Sequence, residues 1–203
     1  MSQPSSEGTA SEWDALAKEA WNRALHTFGT AYIFEVRARL LRRRLKWLNF
    51  VALVVPVIVG GLALGYGAGF PLLGLAVAIG GTVGLVQLTF STWAIVSGWV
   101  ESYGYAITSV VDNQRLTQEF KELASNRSIS IELARHRYEV LVALDSSRQA
   151  QDYSQDIKEQ EKRMGMRAAL RDRQLACSSC RIVPTSMEPT ECAVCGNFKL
   201  SKV

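Results

Sequence analysis

Apolar residues follow two different rhythms along this chain. Between Trp13 and Trp47 they are spaced: Trp13, Leu16, Ala20, Ala24, Phe28 and Tyr32 recur at helical intervals among polar neighbours. From Leu48 the spacing disappears. "LNFVALVVPVIVGGLAL" (48–64) is continuously apolar, as is most of Leu72 to Val96. Between them "GYGAGFP" (65–71) is dense in residues that break a helix and allow a tight turn. After the second block the spaced rhythm returns. "ESYGYAITSVVDNQRLTQEFKELA" (101–124) reads as a helix. Ser130 is placed as the N-cap of "IELARHRYEVLVALD", with Ile131, Ala134, Tyr138, Leu141 and Val142 on one face.

The continuous blocks predict two membrane-spanning helices, about 48–65 and 71–97. A bilayer core about 30 Å thick needs roughly 20 apolar residues, and Trp47 to Tyr66 covers about 28 Å at 1.5 Å per residue, with an aromatic ring at each end for the interface. Pro56 removes one backbone donor from the first span, where it either kinks the helix or is tolerated. No Asp, Glu, Lys or Arg lies between Lys46 and Glu101. The competing reading, a buried hairpin in a soluble protein, needs far more chain to cover it than 203 residues offer.

Charge then sets the orientation. The net charge is only +4, but Arg37, Arg39, Arg42, Arg43, Arg44 and Lys46 cluster just before the first span, and the turn carries none. By the positive-inside rule both termini are cytoplasmic. The arginines themselves read three ways: lipid-headgroup contacts, a charged ring at a pore mouth, or topology determinants only. The first residues, "MSQPSSEGTAS", have neither the basic start nor the apolar core of a signal peptide and read as a disordered tail.

All four cysteines stand in two C-x-x-C pairs, Cys177/Cys180 and Cys192/Cys195. Cytoplasmic thiols stay reduced, and two such pairs suit a tetrahedral, structural Zn²⁺ whose four protein ligands leave no open position for catalysis. The metal would then stabilise a segment too small for a core of its own. Gly196 is expected to take a positive φ in the second knuckle, while Arg181 stands where a glycine would suit the first. A thioredoxin-like redox pair would need a βαβ setting that the pattern lacks. A nucleophile elbow, a phosphate loop and an H-E-x-x-H motif are all missing from the sequence, so no enzymatic activity is expected.

Other candidates rest on thinner signals. Gly61, Gly65, Gly80 and Gly84 form small-x-x-x-small pairs for helix packing. Gln87, Thr82, Thr89 and Ser91 are the pore-lining candidates, though they make no single polar stripe. Arg127, Arg135, His136 and Arg137, with Arg163, Arg167 and Arg171 in one helical stripe, are candidates for an anionic ligand or, more plainly, solvated faces.

The order of a basic amphipathic helix, two close spans with a glycine turn, and further helices resembles the SLATT family of two-span effectors. The spacing of Cys177/Cys180 and Cys192/Cys195, eleven residues apart, is similar to that of its mobile-element-borne subgroup. That resemblance implies a pore-forming effector of antiviral defence that depolarises the membrane and arrests growth. It implies control by a nucleotide or oligonucleotide messenger from a nucleotidyltransferase encoded nearby, as in Hailong-type systems. The expectation is therefore an all-α membrane protein: a tail (1–12), an amphipathic helix (13–47), a two-span hairpin (48–100), cytoplasmic helices (101–175) and a zinc ribbon (176–203). It is expected to form a homo-oligomer, a tetramer foremost. A membrane-tethered adaptor whose zinc ribbon recruits a protein or nucleic acid is the alternative.

Overall fold

The computed structural model describes residues 6–66 and 72–199. Among them are five helices and no strand: α1 (Ser6–Tyr66), α2 (Leu73–Val96), α3 (Trp99–Ser125), α4 (Ile131–Tyr153) and α5 (Glu159–Asp172). Most of the expected glycine turn, residues 67–71, lies outside the described residues, as do 1–5 and 200–203. Two departures from expectation are local. α1 begins at Ser6, inside the segment read as a disordered tail, and it continues through Pro56. The C-terminal segment is built of turns, so it is a pair of knuckles rather than a ribbon.

The chain divides into two compact units, one of Arg37–Tyr105 and one of the residues on either side. In the latter, α1 presents Trp13, Ala17, Ala20 and Ala24 to Leu116, Phe120, Leu123 and Ala124 of α3 and to Ala134 and Leu141 of α4. The steps of three and four residues give a seam that small alanines let close tightly. Contacts fix the directions. Thr27 meets Thr117 and Asp14 meets Arg127, so α1 and α3 are antiparallel. Glu12 meets Arg135 and Arg23 meets Asp145, so α1 and α4 are parallel. The early start of α1 follows from these contacts, because Trp13 is buried and Glu12 and Asp14 are paired.

Local signals set the ends of the helices. The Ser130 side chain accepts the Leu133 N–H at 3.3 Å, the expected N-cap of α4. Glu161 accepts the backbone N–H of Lys158 and so starts α5. α5 then crosses α1 where two glycines meet. A Cβ on Gly165 would stand 2.6 Å from the Gly29 carbonyl oxygen and 2.9 Å from Ile33.

The second unit holds the two apolar stretches. α1 and α2 each contain a stretch long and apolar enough to cross a membrane, and none of the 18 most apolar consecutive residues of either is buried by the protein itself. α2 ends at Val96, and Gly98, at φ 61°, makes a left-handed break before α3 starts at Trp99.

Candidate metal centre

α5 ends in an αR cap at Arg173, and Gln174 turns the chain with a positive φ of 51°. The first knuckle follows. Arg181 N–H bonds to Cys177 C=O at 2.8 Å, and Gly196 N–H bonds to Cys192 C=O at 2.9 Å, so both C-x-x-C loops close in the same way. The left-handed residues are Arg181 (φ 59°) and Asn197 (φ 52°). Gly196, expected to supply that conformation, does not. It is needed for a different reason, since a side chain there would collide with the Thr190 carbonyl, whose oxygen accepts the Asn197 N–H.

These loops bring the four sulfurs within 4.8 Å of one another. Cys177 and Cys192 Sγ lie 3.9 Å apart, and Cys180 and Cys195 Sγ 3.8 Å. A zinc–sulfur bond of about 2.3 Å makes the edge of a tetrahedron about 3.8 Å, whereas a disulfide would need about 2 Å. The donor set and its spacing are consistent with a structural Zn²⁺. The electrostatics agree. Backbone N–H groups of Cys195 and Val194 hold the Cys192 thiol down to about 6. Burial, then the neighbouring sulfurs, pushes Cys195 up. Thiolates this close repel one another, and a divalent cation between them removes the conflict.

Arg167 locks the centre to α5. Its side chain is buried, with Nε donating to Ser186 C=O at 2.8 Å and Nη1 to Cys195 C=O at 3.3 Å. Leu170, Leu25 and Met166 pack against the cysteines. Arg167 was expected in an exposed basic stripe with Arg163 and Arg171; of the three it alone is buried. The remaining ligand candidates are placed as follows. Arg127 pairs with Asp14, Arg135 with Glu12 and Arg137 with Glu122, while His136 is exposed. Each of these three arginines has its own carboxylate.

The pore and packing candidates are placed as follows. Thr82 and Thr89 donate their hydroxyls to the carbonyls of Ala78 and Leu85 on their own helix, and Ser91 is half-buried. Gln87 reaches across to α1, donating to Leu48 C=O at 3.2 Å. Of the four packing candidates only Gly80 is packed, against Val59 and Val55; a Cβ on Gly61, Gly65 or Gly84 would meet open space.

Sequence reasoning missed a buried polar layer. Asp152 accepts from Ser109, Asn113 and Arg148, and Asp145 accepts from Arg23 at 2.7 Å. Thr27 bonds to Thr117 at 2.8 Å. The signal was present: Ala134, Tyr138, Leu141, Asp145, Arg148 and Asp152 continue one seam of three- and four-residue steps, in which the side chains turn from apolar to polar.

The family model described as "Mobilome CxxCx(11)CxxC protein" matches residues 17–198, and the chain belongs to this family. Neither the curated proteins nor the solved structures compared include a significant match.

Proposed function

We propose that this member of the mobilome CxxCx(11)CxxC family inserts α1 and α2 into the bacterial inner membrane, with both termini cytoplasmic, and assembles there into an ion-conducting pore. The observation that carries the reading is the uncovered apolar surface. Among the described residues most large apolar side chains of α2 are exposed, as are Leu53, Val57, Ile58 and Leu64 of α1, and Gly61, Gly65 and Gly84 offer close approach to neighbouring helices. Two helices cannot enclose a water path, so conduction requires several copies, of which four is the number favoured. The role as a defence effector under nucleotide control rests on the resemblance to SLATT proteins. The cytoplasmic unit, stiffened by the metal centre, is where a messenger would act. The test is expression in cells loaded with a voltage-sensitive dye, together with the neighbouring nucleotidyltransferase. Depolarisation that Gly84→Leu or Gln87→Leu abolishes is expected; an intact potential under every condition rejects the pore.

One observation favours the adaptor reading. Ile182 on the first knuckle is 65% exposed beside a groove lined by Val183, Pro184 and Thr190. Replacing both apolar helices by a lipid anchor separates the two. It preserves an adaptor's function and abolishes a pore's.

A further inference from the structure

The four cysteines are not equally sheltered. Cys177 and Cys195 are each 1% exposed and cluster with Leu170, while Cys180 and Cys192 are half-buried and packed against that cluster. Each knuckle thus has one sheltered and one reachable cysteine, in opposite order along the chain. Close sulfur contacts join the unlike ones across the knuckles. Cys192 Sγ lies 3.9 Å from the sheltered Cys177 Sγ, and Cys180 Sγ lies 3.8 Å from the sheltered Cys195 Sγ. There is also a way in. A groove of about 430 Å³ beside the centre is lined by Cys180, Cys192 and Cys195, together with Val183, Pro184 and Thr190. It is ample for a solute little larger than water, which takes up about 30 Å³.

We propose that this centre is an oxidation site for hydrogen peroxide, at which two disulfides between the knuckles replace the metal as their tie. Cys192 Sγ attacks a peroxide oxygen. The S–O bond forms, the O–O bond breaks, and a sulfenic acid and hydroxide result, the hydroxide taking a proton to become water. Cys177 Sγ then attacks the oxidised sulfur. The S–S bond forms, and the sulfenic oxygen leaves as a second hydroxide that is likewise protonated. Cys180 and Cys195 react alike with a second peroxide. In sum, four thiolates, four protons and two peroxides give two disulfides and four waters, and Zn²⁺ departs because disulfide sulfurs carry no charge to hold it. The sulfur pairs close from 3.9 and 3.8 Å to about 2 Å. A disulfide inside one C-x-x-C pair would only close a loop that the Arg181 or Gly196 N–H already closes. A disulfide between the pairs holds both knuckles together, as the metal does. The inference rests on the metal centre and is independent of the proposed pore.

The full chain in detergent is loaded with Zn²⁺, freed of excess metal and treated with hydrogen peroxide. Zinc release is read with a chromogenic chelator, and disulfides by mass spectrometry. Trypsin cuts after Arg181, between the two pairs. Disulfides between the knuckles therefore hold 174–181 and 182–199 together in one mass, which dithiothreitol splits, whereas disulfides inside the pairs leave two separate fragments. The joined mass, with Cys192 linked to Cys177 and Cys180 to Cys195, and complete loss of zinc are expected. The oxidised protein should also keep residues 177–198 protected from amide exchange in chelator, where the reduced protein loses that protection. Two variants resolve the order of events. Cys177→Ser should leave a sulfenic acid at Cys192 that dimedone labels, and Cys192→Ser should leave Cys177 unlabelled. Each variant lacks one metal ligand, so weakened metal binding alone would not make them differ. Separate tryptic fragments, overoxidation without disulfides, or equal dimedone labelling of the two positions overturns the proposal. So does a centre whose zinc and thiols survive peroxide that oxidises free glutathione. A chain that holds no zinc at the outset fails the metal reading instead, and its tryptic masses still decide the pairing.

Discussion

At the scale of single residues, the two ends of glycine behaviour are both present. Gly165 has no room, since its Cβ would meet the backbone of Gly29 and the Ile33 side chain. Gly165→Ala should destabilise the helical unit by about 1–3 kcal/mol. A Cβ added to Gly104, inside α3, would meet no atom within 4 Å. Gly104→Ala should therefore stabilise by roughly 0.5–1 kcal/mol, through the unfolded chain alone. Denaturant unfolding of both variants checks the pair, and the opposite signs are the point of the comparison. Arg167 makes a second prediction at this scale. Its planar fork reaches two carbonyls from two segments of the knuckle region, which an ammonium group cannot reproduce. Arg167→Lys should retain all four cysteines yet release metal faster to a chromogenic chelator than the unaltered protein does.

At the scale of elements, what was legible depended on how local the signal is. Two uninterrupted apolar stretches announce themselves, and so do two C-x-x-C pairs eleven residues apart. The Ser130 cap was legible for the same reason, since cap and helix are neighbours in sequence. Arg167 was not, because its burial depends on where Ser186 and Cys195 return after the knuckle turns. Nothing in the repeat of Arg163, Arg167 and Arg171 distinguishes the middle arginine from a solvated one. The Gly29–Gly165 crossing was hidden likewise, its partners lying 136 positions apart. The polar layer of Asp145, Arg148 and Asp152 was half-visible, since it keeps the seam's spacing but not its polarity. An element-level test follows from the knuckles. Their turns carry few backbone hydrogen bonds and hold only a small hydrophobic cluster, so chelation should open residues 177–198 to rapid amide exchange. The seam of α1, α3 and α4 should keep its protection. Loss of protection throughout would mean that the metal holds the entire helical unit together.

At the scale of the molecule, the seam forms a hydrophobic core that joins α1 to α3 and α4. Phe120, fully buried against α1 and meeting Tyr138 edge to face at 6.2 Å, stands at its centre. Phe120→Ala should cost about 3–5 kcal/mol, read as a fall in the thermal midpoint of the detergent-solubilised protein. The seam has a further property. Its α1 strip, Trp13 to Ala24, finds its partners only from Leu116 onward, with the whole apolar hairpin made in between. At about 5–20 residues per second, roughly 5 to 18 seconds of synthesis separate Ala24 from Leu116. During that interval the ribosome carries a nascent chain whose first helix has an uncovered tryptophan-and-alanine strip, while the hairpin is already emerging. The order of events is thus written into the connectivity: the apolar middle emerges, and on the proposed membrane reading is presented for insertion, before the two flanks are able to join. A translation product halted short of Leu116 keeps its sticky strip for good and becomes material for the cell's proteases.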